Sequence, residues 1–167
     1  MDHFALPGDK LFTAAANGNL HRNFMGYTTT QSKLIIGLGV SSISDAWTAF
    51  AQNEKEVEAY EALIAEGRFP LVHGHGLNEE DQVIRKNILE LMCRNHTRLE
   101  AVVLPEAFIN DAKRSLAMLE EDGLVVCNDA DIQVTDKGRS FIRNISASID
   151  TQLWRRKSNA QTFSKAI

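Results

Sequence analysis

The apolar segment at residues 33–44, KLIIGLGVSSIS, constrains the fold of this chain more than any other feature. Its apolar side chains are closely spaced: Leu34, Ile35, Ile36, Leu38 and Val40. A nearly continuous apolar run is typical of a strand that is buried on both faces, as in a parallel sheet or barrel. Such a strand needs neighbours of the same kind, and the sequence contains no second run of that quality. We therefore expect residues 1–52 to form an incomplete edge of an α/β barrel.

The stretch at residues 53–167 predicts a second, mainly helical domain. Capping residues Asn53, Asn78 and Thr135 each precede apolar side chains at helical spacing, and a further helix is expected at 106–122. The first of these helices is expected to bury Val57, Tyr60, Leu63 and Ile64, and the last to bury Phe141, Ile142, Ile145 and Ile149. The tail beyond Asp150 predicts a surface helix.

One β-hairpin interrupts these helices. LVVCNDADIQVT at residues 124–135 predicts two short strands joined by a polar turn, whereas PLVHGHGL at 70–77 is expected to be only a connection. The order helix, helix, hairpin, helix is typical of a winged-helix-like module. The predicted fold class is therefore α+β, mainly α.

Composition narrows the class of protein. The chain of 167 residues has a formal net charge of −4, which argues against partners such as nucleic acid or an anionic membrane. No apolar run approaches the ~20 residues needed to cross a bilayer, and the start MDHFALPGDK is not a signal peptide, so a cytoplasmic location is expected. The Cys93 and Cys127 spacing matches no metal motif, and His73 and His75 have no further ligands nearby in sequence, so no metal site is predicted.

Three stretches resemble a known family when they are taken together and in order. They are MDHFALPGDKL through LHRNFMGYTT to LIIGLGVSSIS, then NEEDQVIRKNILELMC, and finally DGLVV, IQVTDKGRSFIRNI and the closing FSKAI. The sequence resembles the oxygen-independent coproporphyrinogen III oxidases, radical S-adenosylmethionine enzymes of haem biosynthesis. The resemblance runs from the first residue to the last.

The resemblance implies an oxidative decarboxylation. In that family a [4Fe-4S] cluster reduces S-adenosylmethionine to a radical that takes hydrogen from a propionate of coproporphyrinogen III. Two such steps leave vinyl groups and give protoporphyrinogen IX. The family's Cys-x-x-x-Cys-x-x-Cys cluster loop is absent from this sequence. We therefore expect a C-terminal part of the oxidase that is inactive alone, binds neither cofactor tightly, needs the N-terminal barrel half as partner, and self-associates without it.

The loop at residues 18–31, GNLHRNFMGYTTTQ, carries most of the expected site residues. By position in the motif, Phe24, Met25 and Ile43 are similar to family contacts with S-adenosylmethionine. Met25 departs from the family's glutamine and lacks its amide hydrogen bonds. Gly37 and Gly39 either let backbone approach the cofactor or serve packing.

Substrate contacts are expected in the same loop, where none of the side chains is predicted to be catalytic. Arg22 suits a propionate carboxylate, or else a bracing salt bridge, and His21 lies beside it. Tyr27 is either a hydrogen-bond donor near the site or a half-buried ring.

Two other functions stay open on the sequence alone. One is a winged-helix module that binds nucleic acid or a partner protein, for which Lys113 and Arg114 are the basic candidates. The other is a relative that shares the radical S-adenosylmethionine barrel and carries haem without oxidising it. A cluster loop encoded directly upstream in the same frame would favour the oxidase.

Overall fold

The computed structural model describes residues 5–99, 104–150 and 153–154. The predicted tail helix lies mostly outside these residues. The helices are α1 (Lys10–Ala16), α2 (Val57–Ala65), α3 (Glu79–Arg94), α4 (Glu106–Glu121) and α5 (Ile142–Ala147), and a 3-10 turn (Gly138–Phe141) precedes α5. The strands are β1 (His21–Asn23), β2 (Gly26–Thr28), β3 (Ile43–Asp45), β4 (Ala49–Asn53), β5 (Leu71–Gly76), β6 (His96–Arg98), β7 (Val125–Asn128) and β8 (Asp131–Val134). The α+β class is confirmed, with more strand than the sequence indicated.

The strands form three small antiparallel sheets. A hairpin pairs β1 with β2, the second sheet has the order β3-β4-β5, and the third has the order β6-β8-β7. The predicted β7–β8 hairpin is confirmed, and β6 is an unpredicted third strand beside it. In the described part of the chain no closed barrel is present.

The hydrophobic core lies entirely within residues 84–149. Side chains of α3, α4, the third sheet, α5 and the residues that adjoin them meet there: Ile84, Leu91, Leu99, Leu104, Phe108, Ala112, Leu116, Leu124, Val125, Ile132, Val134, Ile145 and Ile149. Before Ile84, Ala14 and Pro70 are the buried apolar residues, other than glycine, among those described. The first two sheets therefore depend on contacts with α3 for their position.

Strong local signals explain why α3 forms where the sequence predicts it. Asn78 accepts a hydrogen bond from the Asp81 amide, and the Asp81 carboxylate accepts one from the Asn78 amide, which makes a capping box. Asn95 ends the helix in the left-handed conformation, with φ 59°. The helix then presents Ile84 and Leu91 to the core.

The predicted doubly buried strand at residues 33–44 is wrong. Residues 34–40 form no strand beyond an isolated bridge between Ile35 and Asp45, and four of the apolar side chains are exposed: Leu34, Ile36, Leu38 and Val40. The sequence indicated that the neighbours able to bury this run lie outside this chain, and among the described residues no second face covers it.

The predictions for residues 53–77 also need correction. Helix α2 begins at Val57 without a side-chain cap and buries no residue, and Val57 and Ile64 of the expected stripe are about half exposed. Asn53 is instead the last residue of β4, where its side chain is buried. The expected connection at 70–77 contains β5, which pairs with β4.

Near the end of the described chain, the side chain of Phe141 is 46% exposed, not directed inward, because it lies in the 3-10 turn before α5 begins. Ile145 and Ile149 are fully buried as expected. The predicted division at 52/53 stays a prediction, although β4 runs across that position and pairs with β5.

Candidate functional site

The β1–β2 hairpin brings the expected loop residues together. Arg22 faces Tyr27 across the hairpin, with its guanidinium carbon 5.6 Å from the centre of the tyrosine ring. The Tyr27 hydroxyl donates a hydrogen bond to the Met92 carbonyl at 3.1 Å, which ties the hairpin to the last turn of α3. The Nε atom of Arg22 is buried without a hydrogen-bond partner among the described residues. Tyr27 therefore anchors the hairpin, and its role toward a substrate stays a prediction.

Phe24 and Met25 occupy the tip of this hairpin. Their side chains are 51% and 85% exposed, so the tip presents apolar surface outward. The Phe24 ring packs edge-to-face on Phe50 of β4, with ring centres 5.1 Å apart. One side of the tip is thus held in place while the other is available for contact.

A cationic cluster under Phe50 joins the second sheet to α3. The Arg85 guanidinium lies 4.4 Å from the Trp47 ring centre and 4.8 Å from that of Phe50. It donates hydrogen bonds to Asp45 Oδ1 at 3.0 Å and Oδ2 at 2.5 Å, and a third to the Trp47 carbonyl at 3.0 Å. Asp45 is buried, so this forked ion pair is shielded from water.

Trp47 owes its position to the same cluster. It has a left-handed backbone, φ 63°, which is rare for a bulky residue. Its amide donates a hydrogen bond to Asp45 Oδ1 at 2.9 Å, and its carbonyl accepts one from Arg85. The turn between β3 and β4 is therefore fixed from both sides. No local signal in the sequence indicated this turn.

Asn53 organises the loop that leads to Ile43. Its side-chain amide donates hydrogen bonds to the carbonyls of Gly37 at 3.3 Å and Gly39 at 2.9 Å, and to the Ser42 hydroxyl at 3.0 Å. Gly39 has a left-handed backbone, φ 89°, and a Cβ on Gly37 would lie 2.8 Å from the Ile43 carbonyl oxygen. The tight loop thus requires glycine at both positions. The contact of these two glycines with a cofactor stays a prediction.

His21 lies in a cleft between the hairpin and α3. The cleft has a volume of about 210 Å³ and is also lined by Lys33, Trp47, Glu90 and Arg94. Burial, followed by the charge of Arg85, lowers the pKa of His21 below its ordinary value, and Asp45 partly opposes that effect. His21 is therefore biased toward the neutral imidazole. Sequence reasoning selected His21 but missed the other lining residues, which come from separate elements.

The thiols in the described part of the chain do not fit an iron–sulfur cluster. Cys93 on α3 and Cys127 on β7 are both free, and burial raises the pKa of Cys93 to about 11, which opposes the thiolate that a cluster needs. Within the described ranges no three His, Cys, Asp or Glu side chains converge on a possible metal site. His75 instead lies 3.4 Å from Asp81, which belongs to the capping box of α3.

Two further sequence candidates have ordinary structural roles. Lys113 lies 4.0 Å from Asp129, and Arg114 lies 3.2 Å from Asp111, so both basic side chains of α4 have carboxylate neighbours.

Of the helices that can be described, none is both long enough and apolar enough to cross a bilayer.

Comparison with known proteins confirms the predicted resemblance. The oxygen-independent coproporphyrinogen III oxidase of Escherichia coli K12 is 41% identical over 173 residues, which cover 100% of this chain and 37% of the relative. The Synechocystis enzyme of that name is 40% identical, with 100% of this chain and 38% of the relative covered. For the Thermostichus vulcanus enzyme the identity is 38%, and the shares are 100% and 53%.

The fold agrees with a solved structure of the same class. The coproporphyrinogen III oxidase of Escherichia coli, described as a radical SAM enzyme, superimposes with a TM-score of 0.82 at 39% identity. The match covers 92% of this chain and 36% of that structure. No protein-family model matches the chain. The chain thus spans less than two fifths of the length of the Escherichia coli and Synechocystis relatives.

Proposed function

We propose that this chain, which is homologous along its whole length to oxygen-independent coproporphyrinogen III oxidases, acts as the C-terminal part of such an oxidase. The complete enzyme would convert two propionates of coproporphyrinogen III to vinyl groups. The observation that carries the proposal is the match of all of this chain at 41% identity, together with the shared fold. Cluster chemistry belongs to the remainder of the enzyme, because the described thiols do not fit it.

The exposed apolar row at Leu34, Ile36 and Leu38 supports the need for a larger partner. These side chains are 61%, 68% and 86% exposed, in an extended segment next to β3. Exposed apolar surface of this kind in a soluble protein marks an interface. We assign it to the N-terminal barrel part of the oxidase. Without that part, the row is the surface through which the chain would self-associate.

The hairpin tip and the loop before β3 are the proposed contacts with S-adenosylmethionine. That cofactor supplies the radical chemistry in this class of enzyme. Phe24 and Met25 are exposed and apolar, which suits covering a flat or aliphatic part of the cofactor and excluding water. Ile43 is the first residue of β3, directly after the loop that the Asn53 side chain holds. Gly37 and Gly39 would act mainly by permitting that loop.

The second predicted domain, residues 53–167, is proposed to cover the substrate and to include a winged-helix-like unit from α3 onward. The order α3, β6, α4, β7, β8 supports this description, since a hairpin follows the helices and pairs with an earlier strand. The carboxylate neighbours of Lys113 and Arg114 support a packing role for α4 over phosphate binding. Binding of nucleic acid is therefore not expected.

The experiment is a chimera. The matching portion of the Escherichia coli oxidase, 37% of its length, is replaced by this chain, and anaerobic conversion of coproporphyrinogen III is measured. We expect an active chimera. In the chimera, Phe24→Ala should raise the KM for S-adenosylmethionine and leave the fold of the chimera largely unchanged. Phe141→Ala, at a similarly exposed phenylalanine, should leave that KM unchanged. A folded chimera without activity would contradict the proposed function.

A further inference from the structure

The cleft beside His21 combines positive charge with an apolar wall. Lys33 comes from the loop after the hairpin, and Lys86 and Arg94 come from α3, while Glu90 is the one carboxylate that lines it. Glu90 already accepts a hydrogen bond from the Thr97 hydroxyl at 2.7 Å. Lys33 and Arg94 therefore face one engaged carboxylate, in a chain whose net charge is −4.

Two of these cations have no opposite charge of their own. Among the described residues, Lys33 and Arg94 make no ion pair, whereas most of the other arginines do. Arg94 also suits the C-terminal end of α3, but Lys33 lies in a loop and has no such local role. Their convergence on one cleft from separate elements indicates a place for an anion.

The walls and size of the cleft restrict the anion. Leu20, Leu89 and the Trp47 ring line the cleft with apolar surface. Its volume of about 210 Å³ is below the roughly 300–1,000 Å³ of sites that enclose a whole drug-sized ligand. It can therefore hold a short aliphatic arm that ends in a charged group, but not a large ring system. His21, biased toward the neutral form, adds a hydrogen-bonding group without a repelling charge.

We propose that this cleft is a subsite for an alkyl carboxylate, in which Lys33 and Arg94 hold the carboxylate and Trp47 packs on the alkyl arm. The source of this carboxylate rests on the proposed function. We assign it to a propionate of the tetrapyrrole substrate that anchors the ring. The amino-acid end of S-adenosylmethionine is the other source with the same chemistry.

The carboxylate itself is tested on the 167-residue chain with propionate and its neutral analogue propionamide. Chemical shifts of the Trp47 indole N–H and the His21 ring are followed by NMR during titration. We expect propionate to shift both groups, more weakly as salt is added, and propionamide to shift neither. Equal binding of the amide would overturn the proposal.

Charge variants locate the site. Lys33→Glu and Arg94→Glu should each weaken propionate binding by about threefold or more, as expected for a partly exposed ion pair. Arg68→Glu and Arg114→Glu make the same charge change at exposed positions outside the cleft and should leave binding unchanged. An effect of the control variants equal to that of the cleft variants would refute the assignment.

The source is settled with two larger probes, coproporphyrin III and S-adenosylmethionine, on the same chain. The double variant Lys33→Glu/Arg94→Glu should weaken coproporphyrin III binding by about tenfold or more, and leave S-adenosylmethionine binding unchanged. The opposite pattern would overturn the substrate assignment. The binding tests and the chimera test fail separately. An active chimera without propionate binding to this chain would reject the subsite alone, whereas an inactive chimera with propionate binding would reject the proposed function alone.

Discussion

Removing the Asp45 carboxylate should destabilise the junction between the second sheet and α3 by about 3 kcal/mol. The carboxylate accepts two hydrogen bonds from Arg85 and one from the Trp47 amide, at side-chain exposures of 8% for Asp45 and 16% for Arg85. Breaking a buried pair costs about 3–5 kcal/mol, and the residual exposure of Arg85 favours the lower end. Asp45→Asn keeps one oxygen that can accept from the Trp47 amide, but it loses the charge and places an NH2 donor against an Arg85 N–H donor, so it should cost about as much as Asp45→Ala.

Urea unfolding of Asp45→Ala, followed by circular dichroism, measures the loss, and amide exchange at Asn53 shows whether it is local to the sheet. Asp45→Leu combined with Arg85→Met should recover stability to within about 1 kcal/mol of the wild type, because no charge is then left unpaired. A loss below about 1 kcal/mol for Asp45→Ala, with unchanged exchange in β4, would refute the reasoning.

Three other predictions follow from single side chains. Because the pKa of His21 is lowered, its protonation opposes folding, so the stability of the wild type relative to His21→Gln should fall as the pH drops below about 6.5 in urea titrations. With the pKa of Cys93 at about 11 instead of 9.0, iodoacetamide should alkylate it about a hundredfold more slowly at about pH 8 than in the unfolded chain, measured with Cys127→Ser. Asn53→Ala should lower the free energy of unfolding by about 2 kcal/mol, and Asn53→Asp by at least as much, because a carboxylate cannot donate to the three acceptors. Asn110→Ala, at an exposed asparagine, is the control, and an equal loss of stability there would contradict this prediction.

Features with local causes could be predicted from the sequence. Asn78 caps α3 by accepting a hydrogen bond from the Asp81 amide, and α4 (Glu106–Glu121) lies within the helix expected at 106–122. In each case the interacting groups are a few residues apart, so the pattern of residue types contains the information. The same is true of the β7–β8 hairpin.

Features with distant causes could not be predicted. The Asp45–Arg85 pair joins residues 40 apart, and the Tyr27–Met92 hydrogen bond joins residues 65 apart. Asn53 was predicted to cap a helix. An asparagine side chain can either cap a helix or donate hydrogen bonds to buried loop carbonyls, and only the fold decides between the two. The cleft around His21 could not be predicted for the same reason, because its cations come from a loop and a helix that are separate in sequence. The row at Leu34 was identified as apolar, but its burial depends on surfaces that no local pattern describes.

The position of the core has a consequence for synthesis on the ribosome. The hairpin and the second sheet end at Gly76, whereas the core that supports α3 is complete only at Ile149. At about 5–20 residues per second, roughly 70 further residues take between about 4 and 15 s to emerge. During that interval the first two sheets have no completed apolar core to fix them. We therefore expect the nascent chain to be a substrate for chaperones until α3 docks on its core.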